Sequence, residues 1–261
     1  MWNAVRTADG SWTLAHPEHK ATCHSLAGAW QQACERYARP CRVRELGATQ
    51  RTVAVLDIGT GLGLNLAAAL AALEGTNANL HAVTLERDAD VIHSALALAD
   101  WPAEVERHYA PLRNALAGCL AMRATTARVE LGGRGSLTLL LGDATQCLPQ
   151  FDRSVRFDAV FLDPFAPSVE PGLWEAQFLG EVARRMRDGA VLSTYSASLR
   201  VRRALVAGGL SVGRGPRVGL KSAGTLAGIG AHLPPLDART QRRLARHALA
   251  QGSRDGPGAK T

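Results

Sequence analysis

A doubly wound α/β fold, with a mostly parallel sheet and helices on both faces, is what this 261-residue sequence predicts. Three observations carry that expectation. Short apolar runs alternate with longer helical ones between residues 52 and 207, the order that parallel strands joined by crossover helices require. An acid and three glycines, Asp57-Ile58-Gly59-Thr60-Gly61-Leu62-Gly63, stand where the first apolar run meets the first helix. Three more apolar runs end in acids, at Glu86, Asp143 and Asp163, and the carboxyl ends of parallel strands border the ligand crevice of such sheets.

The elements follow in order. Residues 1–50 are mixed and read poorly as strands; Asp9-Gly10-Ser11 marks a turn, and Leu26, Trp30, Ala33 and Tyr37 have helical spacing over residues 25–37. Residues 53–56 form a buried-strand run and the Ala/Leu-rich residues 62–73 the first crossover helix. Residues 80–85 and 89–99 repeat the pair. Residues 128–131 and 136–141 flank Gly132-Gly133-Arg134-Gly135 and predict a hairpin. Residues 157–162 form a third buried strand, followed by a helix over 173–186, and residues 190–195 and 200–207 complete the alternation. The expected partition is an N-terminal extension or lid over 1–50, a main domain over 51–235, and a basic C-terminal helix with a frayed tail over 236–261.

Composition narrows the function. With 46% hydrophobic and 20% charged residues the chain can bury a full core. No apolar run approaches the roughly 20 residues needed to cross a bilayer, and the first residues lack the layout of a signal peptide. A soluble, cytoplasmic protein is expected. Five cysteines without a CxxC pair argue against a zinc ribbon or disulfide scaffold. The eight histidines form no HxxxH or HxH pair, so no metal site is expected. The net charge of +7 is uneven: residues 181–261 hold 15 basic and 4 acidic residues, against 15 and 19 in residues 1–180. A polyanionic partner fits that basic third, as does an Arg-rich solvated surface.

The glycine segment reads D-x-G-x-G-x-G, unlike the G-x-G-x-x-G of dinucleotide sites. An acid at the strand tip disfavours a neighbouring pyrophosphate and suits a ligand with an ammonium and a sulfonium, S-adenosylmethionine. Gly59, Gly61 and Gly63 let the backbone approach that ligand. Glu86 is placed to accept from the ribose hydroxyls and Asp143, in Gly142-Asp143-Ala144, from the adenine amino group; taken alone, each reads first as a turn or helix-cap residue, and the glycine loop beside them turns the reading toward the cofactor. Asp163, in Asp163-Pro164-Phe165-Ala166-Pro167, ends a buried strand in a loop stiffened by two prolines. Its carboxylate could bind an amine, orient the lone pair and accept the proton, or cap the following helix. Tyr195 ends a strand at the same edge, either as a ligand contact or as a packed aromatic. Arg202, Arg203 and Lys221 are candidates for phosphate contacts.

These motifs resemble the MnmC and MnmD methyltransferases of tRNA wobble-uridine modification. The likeness runs in order through Asp9-Gly10-Ser11, His24-Ser25-Leu26-Ala27-Gly28-Ala29, Gly59-Thr60-Gly61-Leu62-Gly63-Leu64-Asn65, Gly142-Asp143-Ala144, Asp163-Pro164-Phe165-Ala166-Pro167 with Leu173-Trp174, Thr194-Tyr195-Ser196 and Gly219-Leu220-Lys221. It implies a class I methyltransferase fold and S-adenosylmethionine as cofactor, held by Asp57, Gly59, Thr60, Gly61, Gly63, Asn65, Glu86, Asp143 and Ala144. It further implies Asp163 as the catalytic residue, with Phe165, Pro167, Tyr195, Arg202, Arg203 and Lys221 toward substrate. The implied reaction methylates the 5-aminomethyl group of the wobble (2-thio)uridine in the anticodon region of tRNA. No second G-x-G-x-x-G domain follows, so separate upstream enzymes are expected to supply the aminomethyl group. The rival readings are a small-molecule amine methyltransferase or polyamine-synthase relative, and a catalytically silent nucleic-acid-binding protein on the same fold.

Overall fold

The turn at Asp9-Gly10-Ser11 closes a hairpin in the computed structural model, which describes residues 2–19, 21–219 and 223–252. Asn3–Arg6 (β1) pairs antiparallel with Trp12–Ala15 (β2). Asp9 Oδ1 accepts from Ser11 N at 3.1 Å, and Gly10 takes a φ of 81°. Sequence reading misses these strands because β1 is mostly exposed and too short to show a period of two. The helix expected over 25–37 begins later. It runs from Ala29–Gln32 (α1) directly into a π-helical stretch, Ala33–Ala38, and Val43–Thr49 (α2) follows.

The main sheet has eight strands. In chain order they are Thr52–Ile58 (β3), Asn79–Glu86 (β4), Thr126–Glu130 (β5), Gly135–Leu141 (β6), Phe157–Leu162 (β7), Met186–Thr194 (β8), Ser211–Arg214 (β9) and Thr225–Gly228 (β10). Their order across the sheet is β5-β6-β4-β3-β7-β8-β10-β9. The five central strands from β6 to β8 are parallel; β5, β10 and β9 pair antiparallel at the edges. The hairpin expected over 128–141 is β5–β6. The antiparallel β9–β10 edge was not legible, since both strands are four residues long and contain glycine.

The helices are Leu64–Ala72 (α3), Ala89–Leu96 (α4), Ala103–Ala121 (α5), Ala144–Gln150 (α6), Ala176–Arg185 (α7), Leu199–Ala207 (α8) and Ala238–Gly252 (α9). The expected helix over 173–186 divides into a 3₁₀ turn, Pro171–Trp174, and α7. The long α5 is an addition, because its interior Pro111 and many charges blur the apolar period. Alternation along β3 shows how the layers form. Val53 and Val55 join a core with α3, α4, α5 and the π-helical stretch, whereas Ala54, Leu56 and Ile58 join one with α6, α7 and α8. Helices therefore cover both faces, as nearly continuous apolar central strands require. The carboxyl ends of β3, β4, β6, β7 and β8 meet along one edge, where the hairpin β1–β2 and the loop after β7 close in.

Candidate active site

A cavity of about 510 Å³ opens at that edge, a size ordinary for a small-molecule site. Gly59 and Gly61 line it from the loop between β3 and α3. Backbone hydrogen bonds from Gly59 N and Thr60 N to Leu85 O, at 3.0 and 3.2 Å, tie this loop to β4. Gly59 has a φ of 90°, and a Cβ there would lie 2.8 Å from the Asp163 carbonyl oxygen, so only glycine lets the two strand-end loops touch.

Acids dominate the wall. Glu86 Oε2 accepts from Gly61 N at 2.9 Å, and Oε1 from Arg87 N and Asp88 N at 2.8 and 3.0 Å. Burial raises the Glu86 carboxyl to about 7 despite these donors. Asp143 Oδ1 caps α6, accepting from Thr145 N at 2.8 Å, and the residue also lines the cavity. Asp163, Asp88 and Glu170 line it too. Such a ring of carboxylates suits a cationic occupant.

The loop after β7 is the most constrained part of the wall. Asp163 N donates to Ile58 O at 2.9 Å. Tyr195 Oη donates to Pro164 O at 3.0 Å, Phe165 N to Glu170 Oε2 at 2.7 Å, and Trp174 Nε1 to Phe165 O at 2.8 Å. The Asp163 carboxylate is oriented by two side chains, Asn65 Nδ2 on Oδ2 at 3.0 Å and the Tyr37 hydroxyl on Oδ1.

Comparison with known proteins matches this arrangement. A profile of the S-adenosyl-L-methionine-dependent methyltransferase family covers residues 107–229. The crystal structure of MnmC2 from Aquifex aeolicus superposes with a TM-score of 0.78 at 31% identity, covering 94% of this chain and 76% of that one. The chain belongs to the MnmC-type S-adenosyl-L-methionine-dependent methyltransferases. Among curated relatives, the tRNA 5-methylaminomethyl-2-thiouridine biosynthesis bifunctional protein MnmC of Pseudomonas fluorescens is 40% identical over 173 residues, 63% of this chain and 25% of that protein. The protein of the same name from Ectopseudomonas mendocina is 36% identical over 220 residues, 82% of this chain and 32% of that protein. The chain thus spans a quarter to a third of the curated relatives it matches.

The cavity of this MnmC-type enzyme fits the family's cofactor. Gly61, with a φ of 50°, leaves room beside Cys23, and Glu86 and Asp143 stand on adjacent strand ends where hydroxyl and amino donors of a nucleoside would be received. Ala144 lines the same side.

Other residues expected at the cofactor or substrate are placed elsewhere. Asp57 is fully buried beneath the glycine loop and does not line the cavity; its Oδ2 accepts from Thr84 Oγ1 at 2.9 Å, and burial raises its carboxyl well above the ordinary range. Thr60 shares a hydrogen with Thr84 at 2.6 Å. Thr60 and Asp57 therefore brace the loop from below. Gly63 is a packing glycine, since a Cβ there would come within 2.9 Å of Leu112. Asn65 acts through Asp163, and Pro167 lies outside the lining. Arg202 is buried, donating to Thr225 Oγ1 at 3.0 Å and Gly224 O at 3.3 Å, which removes it from any phosphate. Arg203 lies away from the main cavity, beside Trp174 and Arg200. Lys221 lies outside the described residues.

Sequence reading missed Tyr37, read there only as an apolar helix position, and the N-terminal pair Trp2 and His16. Trp2 stacks on Phe165 with centroids 6.0 Å apart, and His16 meets both rings edge-on at 4.8 and 5.3 Å. Trp2 Nε1 donates to Asp88 Oδ2 at 3.0 Å, fastening the hairpin over the cavity. His16 Nδ1 accepts from Glu18 N and His19 N, so this ring is neutral, and burial lowers its basicity accordingly. Among the described residues no group of metal ligands occurs, and no helix is long and apolar enough to cross a membrane.

Proposed function

We propose that this enzyme methylates the 5-aminomethyl nitrogen of the wobble uridine, with or without a 2-thio group, giving 5-methylaminomethyl uridine in tRNA. The doubly braced Asp163, facing an acid-lined cavity beside the glycine loop, carries this reading. The relatives named above, whose names place them in tRNA 5-methylaminomethyl-2-thiouridine biosynthesis, support it. The substrate's aminomethyl group would come from separate upstream enzymes, and the setting would be the cytoplasm.

Bound S-adenosylmethionine supplies an electrophilic methyl group on a sulfonium. Glu86 and Asp143 would accept from its ribose and adenine donors, and the backbone of Gly59 and Gly61 would leave room for it at the cavity wall. Asp163 would accept from the substrate amine, aim its lone pair into the cavity and take the proton released when the N–C bond forms at the expense of the sulfonium S–C bond, whose electrons stay on sulfur. Positioning of this kind is the main source of rate in a two-reactant displacement. Trp2, His16 and Phe165 shield the site from water, lowering the cost of presenting a neutral amine. The hairpin β1–β2 that carries Trp2 would serve as a lid.

The test is incubation with S-adenosylmethionine and tRNA bearing 5-aminomethyluridine, followed by mass analysis of the nucleosides. A gain of one methyl at that uridine is expected. Methylation of free alkylamines with untouched tRNA would replace this reading by the small-molecule one.

A further inference from the structure

Part of the basic excess of residues 181–261 falls on one helix, where four of the 15 basic residues stand without an acid among them. α9 has the sequence ARTQRRLARHALAQG, with four arginines and no acid. Arg239, Arg242, Arg243 and Arg246 recur at i, i+3, i+4 and i+7, a single stripe on an α-helix, and all four are exposed. Some exposed arginines elsewhere have carboxylate partners, Arg39 with Glu35, Arg107 with Glu74, Arg184 with Glu181 and Arg200 with Glu175, and others, such as Arg123, Arg128 and Arg217, stand singly on loops and strands. Among the described residues none of the four on α9 is so paired. A solvated helix face ordinarily interleaves both signs. This one keeps four like charges about one turn apart, a repulsion that a polyanion would relieve.

The opposite side holds the helix in place. α9 packs on α8, with Leu236 buried just ahead of it and Leu244 half-buried within it. Asp237 closes the first turn, accepting from Thr240 N at 2.9 Å and Thr240 Oγ1 at 2.7 Å. An apolar side engaged with α8 leaves little to insert into a membrane surface. α8 in turn starts four residues after the cavity-lining Tyr195. The stripe is about 10 Å long, a length over which one duplex strand offers about three phosphates.

We infer that the Arg239–Arg242–Arg243–Arg246 stripe of α9 is the phosphate-binding surface for the RNA substrate. It takes the place of the buried Arg202 expected in that role. The inference rests on the tRNA reading above and adds the surface that holds the molecule while the wobble nucleotide enters the cavity.

The test compares the unaltered chain with two quadruple variants at these positions, one to Gln and one to Lys. Affinity for 5-aminomethyluridine tRNA is measured across a salt series, alongside cofactor affinity and methylation at saturating tRNA. The Gln variant is expected to bind tRNA at least about 10-fold more weakly, with a salt slope smaller by roughly 2 to 4. Its cofactor affinity and saturating rate should stay within about twofold, and the Lys variant should retain most of the affinity. An unchanged slope and affinity in the Gln variant, with tRNA still methylated, would overturn the stripe and leave the proposed function standing. So would loss of binding to phosphatidylserine vesicles with tRNA affinity intact. Failure of the unaltered chain to bind or methylate tRNA would overturn the proposed function and the stripe together.

Discussion

The hydroxyl of Tyr37, in the π-helical stretch, is hydrogen-bonded to the carboxylate of Asp163 at the end of β7. Burial, and then the adjacent carboxylate, push the Tyr37 hydroxyl well above its ordinary range, so it remains the donor throughout the working pH range. Tyr37→Phe keeps the ring and removes a donor that orients the Asp163 carboxylate. A fall of about 10-fold or more in kcat is expected, matching the ~1.5–3 kcal/mol of a hydrogen bond to a charged group. Cofactor affinity measured by calorimetry should not change. A wild-type kcat would show that the Tyr37 hydroxyl is not needed to orient the carboxylate.

At Asp163 itself, Ala and Asn separate two roles. Asp163→Ala should cut methylation by roughly 10²-fold or more, the range for losing a general base or an orienting charge. Asp163→Asn keeps the shape and one acceptor. If orientation dominates, Asn recovers much of the rate; if proton acceptance dominates, Asn matches Ala. Single-turnover rates on aminomethyl-uridine tRNA decide between them, and near wild-type rates in both variants would remove Asp163 from the chemistry.

Gly61→Val tests the cofactor wall. The position has a φ of 50° and a Cβ would stand 3.7 Å from Cys23 Cβ, so a branched side chain meets both backbone strain and an occupied space. Loss of S-adenosylmethionine binding in a protein with an unaltered circular dichroism spectrum is the expected result. Undiminished affinity would place the cofactor elsewhere.

Glu86 gives the site a pH dependence of definite sign. Its carboxyl is raised from an ordinary 4.5 to about 7 by burial. Between those values the folded protein holds a proton that the unfolded chain has released. Its contribution to stability therefore declines as pH rises from about 4.5 to about 7 and is level above that. Hydroxyl donors of the cofactor favour the ionised form, so cofactor affinity should rise as pH increases through about 7. Calorimetry from pH 6 to 8 should show proton release on binding, and Glu86→Gln should flatten both the affinity profile and the proton count.

The sheet was legible because its signals are local. Apolar runs ending in Asp57, Glu86, Asp143 and Asp163 mark strand ends whatever packs on them, and the three glycines mark the turn into α3. Depth was not legible. Asp57 and Glu86 both end or nearly end strands, but Asp57 lies one residue short of the β3 terminus and faces inward, whereas Glu86 closes β4 and faces the cavity. Arg202 and Arg203 are neighbours with similar side chains, and only the packing of α8 on β10 decides which one is buried. Tyr37 reaches Asp163 through a π-helical turn that shifts the helix phase, and the regular apolar spacing of residues 26–37 gives no sign of it.

The loop from Asp163 to Phe165 is held at four separate points by Ile58, Tyr195, Glu170 and Trp174. Its conformational entropy is thus lost once, when the chain folds, and not again with every molecule of substrate that arrives. The heat-capacity change on binding to this wall should reflect the surface of the ligand alone, without the additional decrease that accompanies ordering of a segment. On that view, the protein meets each new substrate molecule with a finished surface, and whatever must rearrange during turnover belongs to the hairpin above it or to the substrate itself.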